Sequence, residues 1–405
     1  MPLVIGLMSG TSADGVDAAL VQIDGSARST SLHLHAFHTM PFPAGMQEAI
    51  LAASDPRTGT VDLLCRLNVA LGEVFAEAAL ALARNAGISI GAVDLIGSHG
   101  QTVQHLPEPS PLGGYPIRAT MQLGEPSVIA ERTGVMTVAD FRPRDMAAHG
   151  EGAPLAPYVH YVLFGDANCT RIVHNIGGIS NVTVLPAAGE LADVLAFDTG
   201  PGNMPIDGAV GRMTRGQEAF DHGGARARRG RVHQPLVEEL LAHPFLRRPP
   251  PKSTGREAFG ASFLEHVSVR GAEVGVIGDD LIATLTAFTT ATIVDAYRRF
   301  ILPQHPTAES ILCGGGSRNP TLTTWLRREL PEIEWHMSDD FGISADALEA
   351  VIFAVLAHET VCGHAANVPT ATGAKRHVIL GKVVPGRDGW SWFQKRCREA
   401  GHRQG

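Results

Sequence analysis

The stretch from Ser9 to Asp17 places hydroxyl, glycine and carboxylate groups in one short turn. An apolar run before it (residues 3–7) and another after it (residues 16–23) indicate two strands joined by this turn. Glycines let backbone N–H groups approach an anion closely, and hydroxyl groups add further donors. The carboxylates would repel a bare phosphate but suit one that carries Mg²⁺. The pattern predicts a phosphate-binding hairpin, although an ordinary hairpin with a polar turn would have the same pattern.

The second half of the chain repeats this arrangement. Residues 171–185 read as a strand, a turn that contains Gly177 and Gly178, and a second strand. Two such hairpins predict an internal duplication, in which each of two lobes opens with the same element and a ligand is held between them.

Two further glycine turns follow predicted strands. Residues 195–203 end in Asp198 and a turn rich in donors, and the helix that follows would direct the positive end of its dipole at an anion. Asp198 is the carboxylate best placed to act as a general base, although a turn or helix-capping acid fits the same pattern. Residues 310–319 pass from a strand through three consecutive glycines to a helix, so a flat or anionic group could lie against bare backbone there.

Other positions place polar groups where a small ligand could bind. His99 to Thr102 follow a predicted strand, where open α/β sheets bind ligands, although a loop histidine bonded within the protein is the alternative. Arg142 lies among acids in a predicted turn, which indicates either surface ion pairs or a site for a sugar carboxylate or a phosphate. Glu349 lies on a helix that is apolar nearly all round, so it either forms a structural ion pair or faces a cleft.

Length and composition limit the possible function classes. The length of 405 residues predicts two domains, and a hydrophobic content of 44% is typical of a globular protein. A net charge of −8 argues against non-specific binding to nucleic acid or to anionic membranes. The start lacks the pattern of a secretory signal, no apolar run is long enough for a membrane span, and the five scattered cysteines lack zinc-site spacing. We therefore expect a cytoplasmic protein that binds neither nucleic acid nor membrane.

The hydrophobic periodicity predicts an α/β protein. Besides the two hairpins, the predicted strands are residues 31–40, 93–97, 120–123, 134–139, 195–198, 310–313 and 377–384. The predicted helices are residues 47–53, 61–86, 126–133, 204–211, 225–231, 279–298, 320–329 and 346–358, with a loop at 107–116 and a turn at 140–145. Glycine- and proline-rich breaks place an N-terminal lobe at 1–142, to which part of 366–390 packs back, and a C-terminal lobe at 143–365, with a loosely held tail at 386–405.

Several motifs together resemble those of the anhydro-N-acetylmuramic acid kinase family. They cover nearly the whole chain, about residues 3 to 385, and their combination is highly specific. The motifs are residues 6–17, 98–102, 140–145, 152–155, 175–181, 197–203, 249–257, 313–319 and 347–350. The departures are small: Ala13 stands where leucine is common, and His149 and Glu151 stand where Gly and Gln are expected.

The resemblance implies a fold class and a set of site residues. The fold would be α/β with two RNase H-like lobes, as in the actin/hexokinase/Hsp70 superfamily, and an ATP cleft between them. The cofactors would be ATP and Mg²⁺, and Asp198 would be the catalytic base. The residues predicted to bind ATP or its phosphates are Gly10, Thr11, Ser12, Ala13, Asp14, Gly15, Val16, Asp17, Asn175, Gly177, Gly178, Thr199, Gly200, Gly202, Asn203, Gly314, Gly315 and Gly316. The residues predicted to bind the sugar are His99, Gln101, Thr102, Arg142 and Glu349, and the candidate Mg²⁺ ligands are Asp14 and Asp17.

The resemblance also implies a reaction. Members cleave the 1,6-anhydro bridge of anhydro-N-acetylmuramic acid while they phosphorylate O6, a step of peptidoglycan recycling and amino-sugar catabolism. Asp198 would deprotonate the water that attacks the anomeric carbon, and the released O6 would take the γ-phosphoryl group of ATP. The family resemblance further implies a homodimer. The alternatives are a kinase for an ordinary sugar and a non-metabolic ATPase of the actin/Hsp70 type.

Overall fold

The chain folds into two compact units. The computed structural model describes residues 1–10, 12–306, 308–387 and 389. Unit 1 joins Met1–Leu163 with the segment that begins at Ala347, and unit 2 is Phe164–Asp346. Thr11, one of the predicted phosphate-binding residues, and nearly all of the predicted C-terminal tail lie outside the described residues.

Strands and helices alternate through much of the chain. The strands are β1 (Leu3–Ser9), β2 (Gly15–Asp24), β3 (Ser31–Pro41), β4 (Leu95–Leu112), β5 (Tyr115–Leu123), β6 (Thr137–Ala139), β7 (Thr170–Ile176), β8 (Ile179–Leu185), β9 (Leu195–Pro201), β10 (Ala308–Cys313), β11 (Glu334–Met337) and β12 (Lys382–Val384). The helices are α1 (Met46–Ser54), α2 (Val61–Asn85), α3 (Pro126–Thr133), α4 (Phe141–Ala147), α5 (Ala156–Phe164), α6 (Met204–Met213), α7 (Ala225–Arg229), α8 (Gln234–Leu241), α9 (Pro244–Arg247), α10 (Arg256–Phe259), α11 (Ala261–Glu273), α12 (Asp279–Ala296), α13 (Pro320–Glu329), α14 (Leu348–Cys362) and α15 (Pro369–Thr372). Within the described part of the chain, we find no helix that combines the length and the apolarity needed to cross a membrane.

Unit 1 is built on a mixed sheet with the strand order β3-β2-β1-β4-β6-β12, and β5 pairs with β4. The strands β1, β4 and β6 are parallel, whereas β2 and β3 return antiparallel as a meander. Ile5 and Leu7 of β1 enter the same core as Leu71 and Phe75 of α2. Because side chains alternate along a strand, Gly6 faces the opposite side of the sheet.

Helix α14 packs on that opposite side at very close range. A Cβ atom added at Gly6 would lie 1.8 Å from the carbonyl oxygen of Ala350, and one added at Gly97 of β4 would lie 2.1 Å from that of Phe353. Only glycine fits at these two positions of the central strands, because any side chain there would overlap the helix backbone. The glycines therefore set the depth at which α14 holds its side chains.

Unit 2 is built on a second mixed sheet, with the order β9-β8-β7-β10-β11. Here β7, β10 and β11 are parallel, and β8 and β9 are antiparallel. Side chains of α12 and α13, among them Ile293 and Leu326, complete a core against β7 and β10. The order and directions of these five strands match β3-β2-β1-β4-β6 of unit 1. The predicted RNase H-like architecture is confirmed in both units, and the matching topology agrees with a duplication.

The unit boundaries differ from the predicted lobe boundaries at 142/143 and 365/366. Helix α14 belongs to unit 1 because it packs on β1 and β4 through the glycines described above. Helix α5 belongs there too, since the hydroxyl of Tyr158 donates to Glu359 Oε2 of α14 at 3.1 Å. A glycine- and proline-rich break in sequence does not reveal this packing.

Several predicted elements have different limits in the structure. Strand β4 does not end at residue 97 but continues to Leu112, so His99 to Thr102 lie within a strand and residues 107–116 belong mostly to the β4–β5 hairpin rather than to a loop. Pairing with β6 ends at Gly97 and pairing with β1 ends at Gln101, after which β5 supplies the partner. The predicted turn at 140–145 is largely helix α4, and the predicted last strand shortens to β12.

We expect Gly6→Ala to destabilise the protein by about 3 kcal/mol, because a methyl group would overlap the backbone of α14. The measurement is the urea midpoint of unfolding. The matched control is Gly91→Ala, where an added Cβ would meet only the Ser89 hydroxyl, at 3.6 Å. Equal midpoints for the two variants would contradict the close packing of α14.

Candidate functional site

The N-terminal glycine turn is fastened by buried side chains. Ser9 Oγ lies 2.8 Å from the carbonyl oxygen of Gly15 and 2.6 Å from Gln101 Oε1. Gln101 Nε2 donates to the carbonyl oxygen of Gly10 at 3.2 Å. Gln101 was predicted to bind the sugar, but its amide closes the turn that joins β1 to β2. A residue of β4, some 90 positions away in sequence, thus fixes the conformation of this turn.

Hydrogen bonds within the turn fix its remaining residues. Ala13 has a φ of 52°, and its N–H donates to Gly10 O at 3.2 Å. Ser12 Oγ donates to Asp14 Oδ1 at 2.8 Å, and the Gln47 amide donates to the carbonyl oxygen of Ser12 at 3.0 Å. Every described residue of the predicted segment from Gly10 onward lies in this turn or in the first residues of β2.

The candidate Mg²⁺ ligands Asp14 and Asp17 have the right donor chemistry, since carboxylate oxygens suit this cation. Asp17 Oδ1 accepts a hydrogen bond from the Thr39 hydroxyl at 2.6 Å. Among the described residues, however, the one cluster of three or more side chains able to share an ion is Glu309, Glu334 and His336 of unit 2. The two aspartates therefore fit as individual or water-mediated ligands rather than as a complete protein cage.

Arg142 and His99 form a second arrangement in unit 1. Arg142 Nε donates to His99 Nε2 at 2.9 Å, and one terminal nitrogen donates to the carbonyl oxygen of Gly152 at 2.9 Å. Burial and the neighbouring guanidinium hold the pKa of His99 well below its usual range, so the ring is neutral and can accept this bond. Burial lowers the pKa of Arg142 to about 10, while Glu349 opposes the change. The guanidinium is held in place and still carries its charge.

Helix α14 carries two acids with contrasting surroundings. Glu359 is buried and accepts hydrogen bonds from the Ala27 N–H, the Thr30 hydroxyl and the Tyr158 hydroxyl at 3.1 to 3.2 Å. Glu349 remains open to solvent, yet the protein crowds its carboxyl group enough that burial, with the charge of Asp17, raises its pKa, and Arg142 opposes this. Glu359 is a structural acid, whereas Glu349 is accessible to solvent and lies within electrostatic range of Arg142.

Thr102 is the remaining predicted sugar-binding residue. Its hydroxyl accepts a hydrogen bond from Gln122 Nε2 of β5 at 3.2 Å. Thr102 is half-buried on β4, next to Gln101 but on the opposite face of the strand. The structure thus separates it from the turn that Gln101 closes.

The glycine turns of unit 2 come together at one edge of its sheet. The N–H groups of Gly202 and Asn203 donate to the carbonyl oxygens of Gly178 and Gly177 at 2.9 and 2.7 Å. The turn after β10 joins them, since a Cβ added at Gly314 would lie 2.2 Å from Asn175 Oδ1. Three turns far apart in sequence therefore form one surface of closely spaced backbone, suited to an anion or a flat group.

Asp198 lies on β9 next to this surface. Its Oδ2 accepts the N–H of Thr254 at 2.8 Å, and its own N–H donates to Lys252 O at 3.0 Å. Burial raises the pKa of Asp198 to about 7, Thr254 and Lys252 lower it, and Glu257 raises it further. A carboxyl group with a pKa near neutrality is suited to take and release a proton.

Thr199 has a different environment from its neighbours. It is 1% exposed, and its hydroxyl donates to Ser180 Oγ at 2.7 Å. A buried chain of hydrogen bonds continues from Ser180. Ser180 Oγ lies 2.8 Å from His174 Nε2, and His174 Nδ1 lies 3.0 Å from the hydroxyl of Tyr297. The Thr199 hydroxyl is therefore used inside unit 2, and only its backbone is available to the glycine surface.

One residue at this site was not connected with Asp198 from sequence. The sequence places Lys252 only within the family motif at residues 249–257, yet the residue is 4% exposed and its backbone bonds to Asp198. A lysine that directly follows three prolines in a motif of the resembled family was the available signal.

Two RNase H-like units, one with a clamped glycine turn and the other with three converging glycine turns, define an α/β protein of the actin-like phosphotransferase class. Within that class the chain belongs to the anhydro-N-acetylmuramic acid kinase family, whose sequence profile matches residues 2–386. The predicted family resemblance is confirmed.

Relatives named anhydro-N-acetylmuramic acid kinase match along almost their entire length. The protein from Caldanaerobacter subterraneus subsp. tengcongensis is 48% identical over 381 residues, 94% of this chain and 96% of that protein. The protein from Salinibacter ruber is 43% identical over 384 residues, 95% of this chain and 96% of that protein. Among solved structures, an activator of 2-hydroxyisocaproyl-CoA dehydratase from Clostridium difficile has a TM-score of 0.43 and 12% identity, over 88% of this chain and 94% of that chain.

We expect Gln101→Met to weaken ATP binding about tenfold, since the turn loses its clamp from β4 while the side-chain volume is kept. The measurement is calorimetric titration with a non-hydrolysable ATP analogue. Gln122→Met is the control, because the Gln122 amide contacts Thr102 and Thr120 rather than the turn. Unchanged affinity in Gln101→Met would show that the clamp is not needed for nucleotide binding.

Proposed function

We propose that this protein is an ATP-dependent kinase that hydrolytically opens the 1,6-anhydro ring of anhydro-N-acetylmuramic acid and phosphorylates O6. The product is N-acetylmuramic acid 6-phosphate. The observation that carries the proposal is Asp198, a carboxyl group with a pKa near 7 beside three converging glycine turns, in a member of this kinase family.

The nucleotide phosphates are assigned to the glycine turns. In unit 2 the N–H groups of Gly202 and Asn203 tie their turn to the turn at 177–178, and the turn at 314–316 packs beside them, so the three turns present closely spaced backbone to the phosphates. In unit 1 the clamped turn between β1 and β2 is the second segment assigned to the phosphates, through its backbone. These groups would position the triphosphate and stabilise the charge that moves during phosphoryl transfer.

Mg²⁺ would supply neutralisation of the phosphate charge when it is bound with ATP. Asp14 and Asp17 are the residues of this chain that would hold it, directly or through water. Two carboxylates are few ligands for Mg²⁺. They suit a cation that keeps much of its hydration shell and is carried mainly by the nucleotide.

The sugar is assigned to the polar groups of unit 1. N-acetylmuramic acid carries a carboxylate on its lactyl group, and the charged, anchored guanidinium of Arg142 is suited to pair with it. His99 accepts a hydrogen bond from Arg142 and so holds the guanidinium in place. Glu349 offers a carboxyl group to the sugar hydroxyls. Gln101 is left to the nucleotide turn.

Asp198 performs the proton transfer. Thr254 occupies Oδ2, and in the described residues no protein group donates to Oδ1, which is free to accept a proton from water. The water oxygen bonds to the anomeric carbon as the bond from that carbon to O6 breaks. The freed O6 bonds to the γ-phosphorus, and the bond to the leaving ADP oxygen breaks. The sugar thus gains one water and one phosphoryl group.

Two further properties are part of the proposal. ATP dependence places the enzyme in the cytoplasm, where its cosubstrate is abundant. We also propose a homodimer, as in the family resemblance, and light scattering of the full-length chain measures it directly.

We expect Asp198→Asn to lower kcat by at least about a thousandfold, because the amide cannot accept the water proton, while ATP binding is retained. Product formation is followed by mass spectrometry, with ATP-analogue affinity measured in parallel. Activity close to that of the unaltered protein would refute the role of Asp198 as base.

The product mass of the unaltered enzyme separates the candidate functions. Gain of a phosphoryl group together with a water supports ring opening. Gain of the phosphoryl group alone indicates an ordinary sugar kinase, and ADP without a sugar product indicates an ATPase.

The pH dependence of kcat/KM tests the ionisation state of the base. The active form of Asp198 is the carboxylate, and its pKa is raised to about 7. We therefore expect kcat/KM to increase about tenfold per pH unit below 7 and to level off above it. A flat profile between pH 5 and about 8 would contradict a base with this pKa.

A further inference from the structure

Residues 248–255, here called the strap, run between α9 and α10 without regular secondary structure. Three consecutive prolines, Pro249 to Pro251, restrict the backbone before Lys252. Strand β9 is at the edge of the unit 2 sheet, so one side of its backbone has no neighbouring strand in that sheet. The strap lies against this side.

Two backbone contacts join the strap to Asp198. The Asp198 N–H donates to the carbonyl oxygen of Lys252 at 3.0 Å, and the Thr254 N–H donates to Asp198 Oδ2 at 2.8 Å. Together they hold both the backbone and one carboxylate oxygen of a single residue. They set the direction in which Oδ1 points.

The side chain of Lys252 anchors the strap by packing against two aromatic rings and a carbonyl oxygen. Its ammonium group lies 4.7 Å from the ring centre of Phe245, 5.2 Å from that of Phe300, and 3.4 Å from the carbonyl oxygen of Leu246. Burying an ammonium group is costly without compensating partners, and here an accepting carbonyl and two aromatic rings provide them. A methionine or leucine would fill the same space without that cost, so packing alone does not account for a charge at this position.

Among the described residues, four other charged groups act on the pair formed by Asp198 and Lys252. Asp198 faces Lys252 and also Glu257, whose negative charge acts in the opposite direction. Lys252 itself faces Arg299, Asp295 and Arg248 as well as Asp198. Burial, together with the two arginines, lowers the pKa of Lys252 to about 8, so the ammonium is charged over the acid half of the range in which Asp198 ionises.

We propose that Lys252 is a positioning residue for catalysis: it anchors the strap on β9 and supplies the positive charge that keeps Asp198 available as the carboxylate. The inference rests on the proposed function in that Asp198 is taken as the base. Lys252 does not contact the reacting atoms but acts through Asp198.

A purely structural anchor and an electrostatic partner give different pH behaviour. Loss of an anchor lowers activity by the same factor at every pH. Loss of the charge raises the pH at which Asp198 loses its proton, so activity falls most on the acid side. Above pH 8 the effect becomes small, because Asp198, with a pKa of about 7, is already the carboxylate there and Lys252 of the unaltered enzyme is losing its own proton.

The test compares full-length Lys252→Met and Lys252→Arg with the unaltered enzyme. Methionine fills the space between the two rings and interacts favourably with them, so the strap is retained without the charge. Arg248→Met is the matched control, since it removes a positive charge from the exposed part of the same strap. The urea midpoint of each variant verifies that it is folded.

Two readouts are measured for every variant. One is the pH profile of kcat/KM with ATP and the anhydro sugar. The other is the titration of ¹³C-labelled aspartate carboxyl groups without substrate, in which Asp198→Asn identifies the signal of Asp198. This assignment separates it from Asp207, whose pKa burial and Asp221 likewise raise to about 7.

For Lys252→Met we expect both midpoints to rise by about half a unit to one unit, with a three- to tenfold loss of kcat/KM near pH 6 and rates within about twofold above pH 8. Lys252→Arg and Arg248→Met should keep the midpoint of the unaltered enzyme. An equal loss at every pH, or unchanged midpoints in Lys252→Met, would overturn the proposal. If the unaltered enzyme forms no phosphorylated sugar but the ¹³C midpoint still rises, the proposed function fails and the coupling of Lys252 to Asp198 stands.

Discussion

The contact between helix α14 and the two central strands of unit 1 is the constraint on which the groups proposed to bind the sugar depend. Gly6 and Gly97 allow the helix backbone to lie directly on the sheet, with no side chain between them. At that depth Phe353 packs on the His99 ring, with ring centres 4.5 Å apart, and Glu349 comes within electrostatic range of Arg142. A helix held farther from the sheet would separate these groups.

Much of the fold and of the candidate site could be predicted from the sequence because the signals were local. Alternating apolar residues and glycine turns correctly placed the hairpins β1–β2 and β7–β8, and glycines after strands located three of the turns that converge in unit 2. A glycine that follows a strand permits a turn within a few residues, so its effect is visible in a short window. The family motifs then connected these turns with one class of reaction.

The remaining features depend on contacts between residues far apart in the chain. Gln101 bonds to Ser9 across 92 positions, and Thr254 bonds to Asp198 across 56 positions. The residue types alone assigned Gln101 to the sugar and left Lys252 unconnected, since an amide or an ammonium group suits several partners equally. Likewise, residues 101–112 stay extended because β5 supplies hydrogen-bond partners, and the segment itself carries no signal of that pairing.

The strap also affects the behaviour of the protein in concentrated solution. An uncovered edge strand presents unpaired N–H and C=O groups on which the strand of another molecule can assemble. Next to Asp198 the strap occupies one of these positions on β9, and the prolines that precede Lys252 lack the N–H donors needed to extend a sheet further. The segment that holds Asp198 therefore also blocks intermolecular sheet growth at that edge, so a shortened strap would favour aggregation as well as release Asp198.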